Sequence, residues 1–122
     1  MTFIGYQRLV EKHGKEVANA MFEFEEAALD HYVSIVNEEK INCDLHVTRA
    51  FDSFFNAEDA KRSRMDFHRR RMDFPEAVRN GDIRTVEDPK EMEKIAGVKG
   101  VLWGASYPAG HLWPYMLATA RE

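Results

Sequence analysis

The chain has 122 residues, 44% hydrophobic and 31% charged, which is enough for one domain with one modest core. A formal charge of −4 argues against a general nucleic-acid binder, and a single cysteine excludes a scaffold stapled by intrachain disulfides. No apolar run approaches the roughly 18 residues of a membrane span, and no basic-then-apolar leader opens the chain, so the expected setting is cytoplasmic.

The charge is uneven. Residues 1–60 carry 5 basic and 12 acidic side chains and residues 61–122 carry 12 and 9, giving −7 and +3. Halves of opposite sign attract each other or face different surroundings.

Residues 6–13 read as a short helix closed by Gly14 in a left-handed cap. The strongest helical pattern runs from 15 to about 39, where Val17, Met21, Phe24, Ala28, Tyr32 and Ile35 recur at three- and four-residue spacing. That spacing predicts a buried face, set against a sheet carrying Leu45 and Val47, and a cost of about 3–5 kcal/mol for Phe24→Ala. Glu16, Glu23, Glu26, Asp30 and Glu38 lie mostly opposite. Glu25 and Glu26 have the chemistry of an acid–base or cation site, yet no histidine stands at ligand spacing, and they read as a solvated face.

Residues 44–56 switch to period two, with Leu45, Val47 and Arg49 on one face and His46, Thr48 and Ala50 on the other. Cys43, just before, reads as a buried inert thiol. Helix resumes over Ala57–Asp73, with Asn56 as N-cap and Glu58 and Asp59 matching the helix dipole. Pro75 is expected to end or kink it. Within it, Arg64-Met65-Asp66-Phe67 is echoed by Arg71-Met72-Asp73-Phe74, and seven-residue spacing predicts rows of methionine and phenylalanine forming an apolar stripe beside an arginine-rich face.

Asn80-Gly81-Asp82 is a turn, residues 83–86 a short strand, and Asp88-Pro89-Lys90-Glu91 a capping box opening a helix that Gly97 closes. A last strand follows, with Val101, Trp103 and Ala105 on one face and Gly100, Leu102 and Gly104 on the other, the glycines leaving room for a close approach. Pro108, Ala109 and Gly110 are expected to turn the chain, and Pro114 to open a helix over 115–122 that reads as cut in mid-element. The fold class is α+β, a small mixed or antiparallel sheet packed with several helices in one unit, 1–122.

The site chemistry is sparse. The five histidines stand 15 or more residues apart, so no pair is placed to hold a metal on one helix face. Gly104-Ala105-Ser106-Tyr107 is not a nucleophile elbow. No catalytic residue is identified. The basic run Lys61-Arg62-Ser63-Arg64 and His68-Arg69-Arg70-Arg71 has the charge of a phosphate-tracking surface, but Asp59, Asp66 and Asp73 interleave with it, and a solvated or internally paired face is expected.

The run Gly110-His111-Leu112-Trp113-Pro114-Tyr115-Met116-Leu117 resembles the Gly-x-x-x-Pro-x-x-Leu segment of FAD-dependent oxidoreductases of the amino-acid-oxidase type, the group of glycine and sarcosine oxidases. The N-terminal Ile4-Gly5-Tyr6-Gln7-Arg8-Leu9-Val10-Glu11-Lys12-His13-Gly14 looks like the helical segment that follows the flavin-binding portion in fungal members. The resemblance implies an amine or amino-acid substrate, FAD in the full-length enzyme, and a substrate domain of which this chain is part. It places Trp103, Tyr107 and His111 as substrate-binding residues. The family's Gly-x-Gly-x-x-Gly turn is missing, and Gly97-Val98-Lys99-Gly100 has the wrong spacing, so no FAD is expected to bind this chain alone. A bare substrate domain is expected to self-associate through 107–122. The alternative reading is a stand-alone α+β interaction module without catalysis, with the Lys61–Arg71 helix facing an anionic partner.

Overall fold

A computed structural model describes residues 3–111. In chain order these form α1 (Tyr6–His13), α2 (Lys15–Glu38), β1 (His46–Phe54), α3 (Ala57–Asp73), α4 (Pro75–Asn80), β2 (Arg84–Val86), α5 (Pro89–Ala96) and β3 (Trp103–His111). The sheet is antiparallel in the order β1-β3-β2, so the fold is α+β as composition and periodicity predict.

The local signals work where they are strong. Asn56 Oδ1 accepts from the backbone N–H of Glu58 and Asp59, capping α3. Asp88 caps α5 through the Lys90 N–H, and Gly97 closes it at φ 70°. Gly14 differs from the expected left-handed cap. At φ 85° and ψ 162° it occupies an extended region open essentially to glycine, which lets α1 end and α2 begin across one residue.

Pro75 ends α3 as expected, and it also stands at the first position of α4, where its missing N–H is harmless. Pro108, Ala109 and Gly110 do not turn: they continue β3, opposite Arg49, Thr48 and Val47 of β1. β2 pairs only with Gly104, Ala105 and Ser106, and proline is tolerated in a sheet where its N side meets an open edge, as it can beyond Ser106.

A further correction is the orientation of α2. The side chains turned inward are Ala18, Asn19 and Phe22, of which Ala18 and Phe22 pack with Tyr6 of α1, flanked by Leu9 and Val10. The stripe expected to be buried is not: Phe24 is 79% exposed, and Val17, Met21, Tyr32 and Ile35 are about half exposed. Val47, its expected counterpart, is exposed too. The helix is rotated because Glu26, on the inward side, meets Arg70 of α3, a contact no local pattern encodes.

The main core lies between the sheet and α3. Trp103 and Ala105 of β3 pack with Phe3, Ala60, Phe67, Val78 and Ile83. The rings of Phe3 and Phe67 meet edge-on at 5.6 Å, and Trp103 lies 5.7 Å from Phe54. Gly104 takes the close approach expected of it, since a Cβ there would strike Met92 Cε of α5 and lie 2.9 Å from the Asp52 carbonyl oxygen. In the α3 repeat Phe67 is buried, whereas Met65 and Met72 are exposed rather than part of an apolar contact. Asp66 and Asp73 hold α1 instead. Asp66 accepts from the N–H of Gly5 and Gln7, and Tyr6 donates to Asp73.

Candidate functional site

Beyond Ser106, where β2 stops, α2 comes up against β3. An ideal Cβ on Gly110 would lie 2.8 Å from Leu29 Cδ1, so glycine is what admits the helix here. A cleft of about 390 Å³ opens beside this contact. One wall is Tyr107 and Pro108 of β3, the floor is Asn80 and Gly81 at the end of α4, and the other wall is the acidic side of α2 with Glu23, Glu25, Glu26 and Asp30.

The electrostatics follow from which carboxylates are already engaged. Glu26 Oε1 accepts from Arg70 Nη1 at 2.7 Å, and Arg70, fully buried, also donates from Nε to Asn19 Oδ1 at 3.0 Å. Glu23 and Asp30 are exposed on the cleft wall. The nearest cation on the sheet, Arg49, is directed elsewhere. It donates to the side chain and carbonyl of Asp82 and to Oγ and O of Ser106, pinning the turn before β2 onto β3. A hydrogen bond from Arg84, aided by Arg49, holds the Asp82 carboxyl below the usual carboxylate range.

Tyr107 is the aromatic group of the cleft. Its hydroxyl donates to Asp52 Oδ1 at 3.2 Å. Burial, reinforced by the Asp52 charge, pushes the phenol up to about 12, so it stays a neutral donor through the physiological range. Asp52 Oδ2 is buried with no hydrogen-bond partner among the described residues.

The sequence-predicted site residues fall in three different settings. Tyr107 lines the cleft. Trp103 shares its sheet face four residues away, but is fully buried in the core with its indole N–H on Glu87 Oε1 at 3.1 Å, so the structure does not bring the two together in one cavity. His111 ends β3 opposite His46, and its side chain lies outside the described residues, as do Leu112–Leu117 and the expected helix over 115–122.

The sequence alone reads Glu25 and Glu26 as a solvated face, sets Glu23 and Asp30 mostly opposite the apolar stripe, and does not single out Asp52. The signal for Asp52 was a charge at a core-facing position of an alternating strand, between Ala50 and Phe54. Nothing local marks Arg70 as different from its neighbours.

The basic helix is largely paired within the chain. Arg62 meets Glu58 and Asp59, Arg64 meets Glu87, Arg69 meets Asp73, and Arg71 lies over the Phe67 ring. Among the described residues no three His, Cys, Asp or Glu are grouped to hold a metal, and no helix is long and apolar enough to cross a membrane. Comparison with protein-family models, curated proteins and solved structures gave no match.

Proposed function

We propose that this chain is a substrate-side part of a FAD-dependent amine or amino-acid oxidoreductase, building cavity wall rather than the flavin site. The observation that carries the reading is the cleft where Tyr107 and Pro108, just ahead of the Gly110–Leu117 run that resembles the family, face the carboxylates of α2. Carboxylates gathered along one wall favour a protonated amine, and the neutral Tyr107 ring offers an apolar face beside it. The substrate class is an amine or an amino acid engaged by its amino group.

The chain's residues do not fit FAD. The family's pyrophosphate sits where a strand turns through glycines into a helix N-terminus. Here Gly97 and Gly100 lie in the reverse order, between the end of α5 and the start of β3. No step through flavin is assigned to these residues. The reading keeps a cytoplasmic setting.

The test is an NMR titration with butylamine and, separately, butyrate. Shifts of the Tyr107 and Gly81 amides with the amine alone, lost in the Glu23→Gln/Asp30→Asn double variant, support the reading. Equal response to butyrate, or none to the amine, overturns it. Stoichiometric quenching of FAD fluorescence by the chain would overturn the assignment of the flavin site elsewhere.

A second reading, an interaction module without catalysis, is favoured by one observation: the apolar stripe of α2 is exposed. The pairing of the arginines on α3 argues against its basic-helix form.

A further inference from the structure

The exposed stripe of α2 has an internal symmetry. With His31 on the seam and Tyr32 flanking it, positions 17, 21, 24, 28, 31 and 35 fall at alternating four- and three-residue steps, the seam of a coiled coil. The pattern is unchanged when the helix is reversed about Glu26. Laid antiparallel on a second copy, Val17 meets Ile35, Met21 meets His31, and Phe24 meets Ala28.

The central layer is complementary in shape, because the largest exposed side chain of the stripe faces the smallest. Along one rim run Ala20, Ala27 and Ser34, all exposed, which lets two helix backbones approach closely. We infer that α2 is a self-pairing surface, and that two copies of this chain associate through an antiparallel α2–α2 contact.

The size of the surface fits that occupant. The stripe runs about 27 Å from Val17 to Ile35. Complete burial of the exposed parts of Val17, Met21, Phe24, Tyr32 and Ile35 would remove at most about 1,000 Å² for a pair, the size of a weak, transient interface. A two-fold contact requires a patch that complements itself, and a reversible sequence pattern supplies one. Charge opposes the pairing: α2 carries six acids against one lysine, and Glu25 lies beside its own counterpart near the dyad. The dimer is therefore weak at low salt and tightens as salt screens the repulsion.

The experiment is sedimentation velocity over a concentration series at two salt concentrations. A micromolar dimer that tightens with salt is expected, and Phe24→Glu, which alters a side chain already 79% exposed, weakens it about 30-fold or more without lowering the melting temperature. In a Cys43→Ser background, Val17→Cys and Ile35→Cys copies mixed together form a disulfide-linked heterodimer, while neither alone does. A chain still monomeric at several hundred micromolar overturns the inference. So does a dimer indifferent to Phe24→Glu, one abolished instead by Leu117→Ser, or a disulfide formed by the Val17→Cys variant with itself.

Discussion

α2 and α3 are both long and heavily charged, and they are used in opposite ways. α3 is the more polar, yet it buries Asp66, Phe67 and Arg70 almost completely. α2 is the more apolar, yet it leaves Phe24 and four other large hydrophobic side chains in solvent. Partners make the difference. Each buried charge of α3 meets groups that need it: Asp66 the first amides of α1, and Arg70 the Glu26 carboxylate and the Asn19 amide. Hydropathy ranks what can be buried; the available donors and acceptors decide what is.

The largest test of that contrast is Arg70→Met. Removing a fully buried guanidinium leaves Glu26 and Asn19 unpaired, and urea unfolding should show a loss of about 3–5 kcal/mol. A loss below about 1 kcal/mol would make the network ornamental. Asp66→Ala should cost about 2–3 kcal/mol, because two backbone N–H groups lose their acceptor, and hydrogen exchange should show α1 fraying first. Asn56→Ala, which removes only a local cap, should cost about 1 kcal/mol by the same unfolding measurement.

The contact of Tyr6 with Asp73 gives the contrast a pH dependence. Burial first, then the hydrogen bond to Asp73, raise the Tyr6 phenol well above its ordinary value. The unfolded chain releases that proton near pH 10 and the folded chain retains it. The folded state then binds more protons, so this contribution is intact below pH 10 and is lost as the pH climbs further. Tyr6→Phe should show a shallower alkaline decline of the urea midpoint, and an unchanged slope would sink the assignment. The smallest effect belongs to Phe24→Ala, expected within about 0.5 kcal/mol of the parent at concentrations where the chain is monomeric, because there the ring touches mostly water.

The contrast also marks what the sequence discloses. The ends of α3 and α5 were legible because Asn56, Asp88 and Gly97 act on amides or carbonyls within a turn of themselves. The α+β class was legible from the change of period at residue 44. The face of α2 was not, because two stripes compete. Val17–Met21–Phe24 and Ala18–Phe22–Leu29 are both helically spaced, and the choice rests on Arg70, 44 residues from Glu26. Pro108 misled for a related reason: whether a proline breaks a strand depends on whether a neighbour needs its N–H, and the neighbour here ends at Ser106. Of the cleft residues, the sequence names only Tyr107, as an aromatic on a sheet face, and names Trp103 on the same ground although it is buried in the core. The Asp52 and Arg49 contacts depend on strand register, which the sequence states only weakly.

The hydrogen bonds from Gly5 and Gln7 to Asp66 span 61 and 59 residues. On a ribosome adding roughly 5–20 residues per second, α1 would leave the exit tunnel about 3–12 s before the residue that completes its first turn. An eight-residue helix is too short to persist alone in water over that interval. The helix can lean on Ala18 and Phe22 of α2 as soon as they emerge, but the amides of Gly5 and Gln7 gain their acceptor only once α3 has been made.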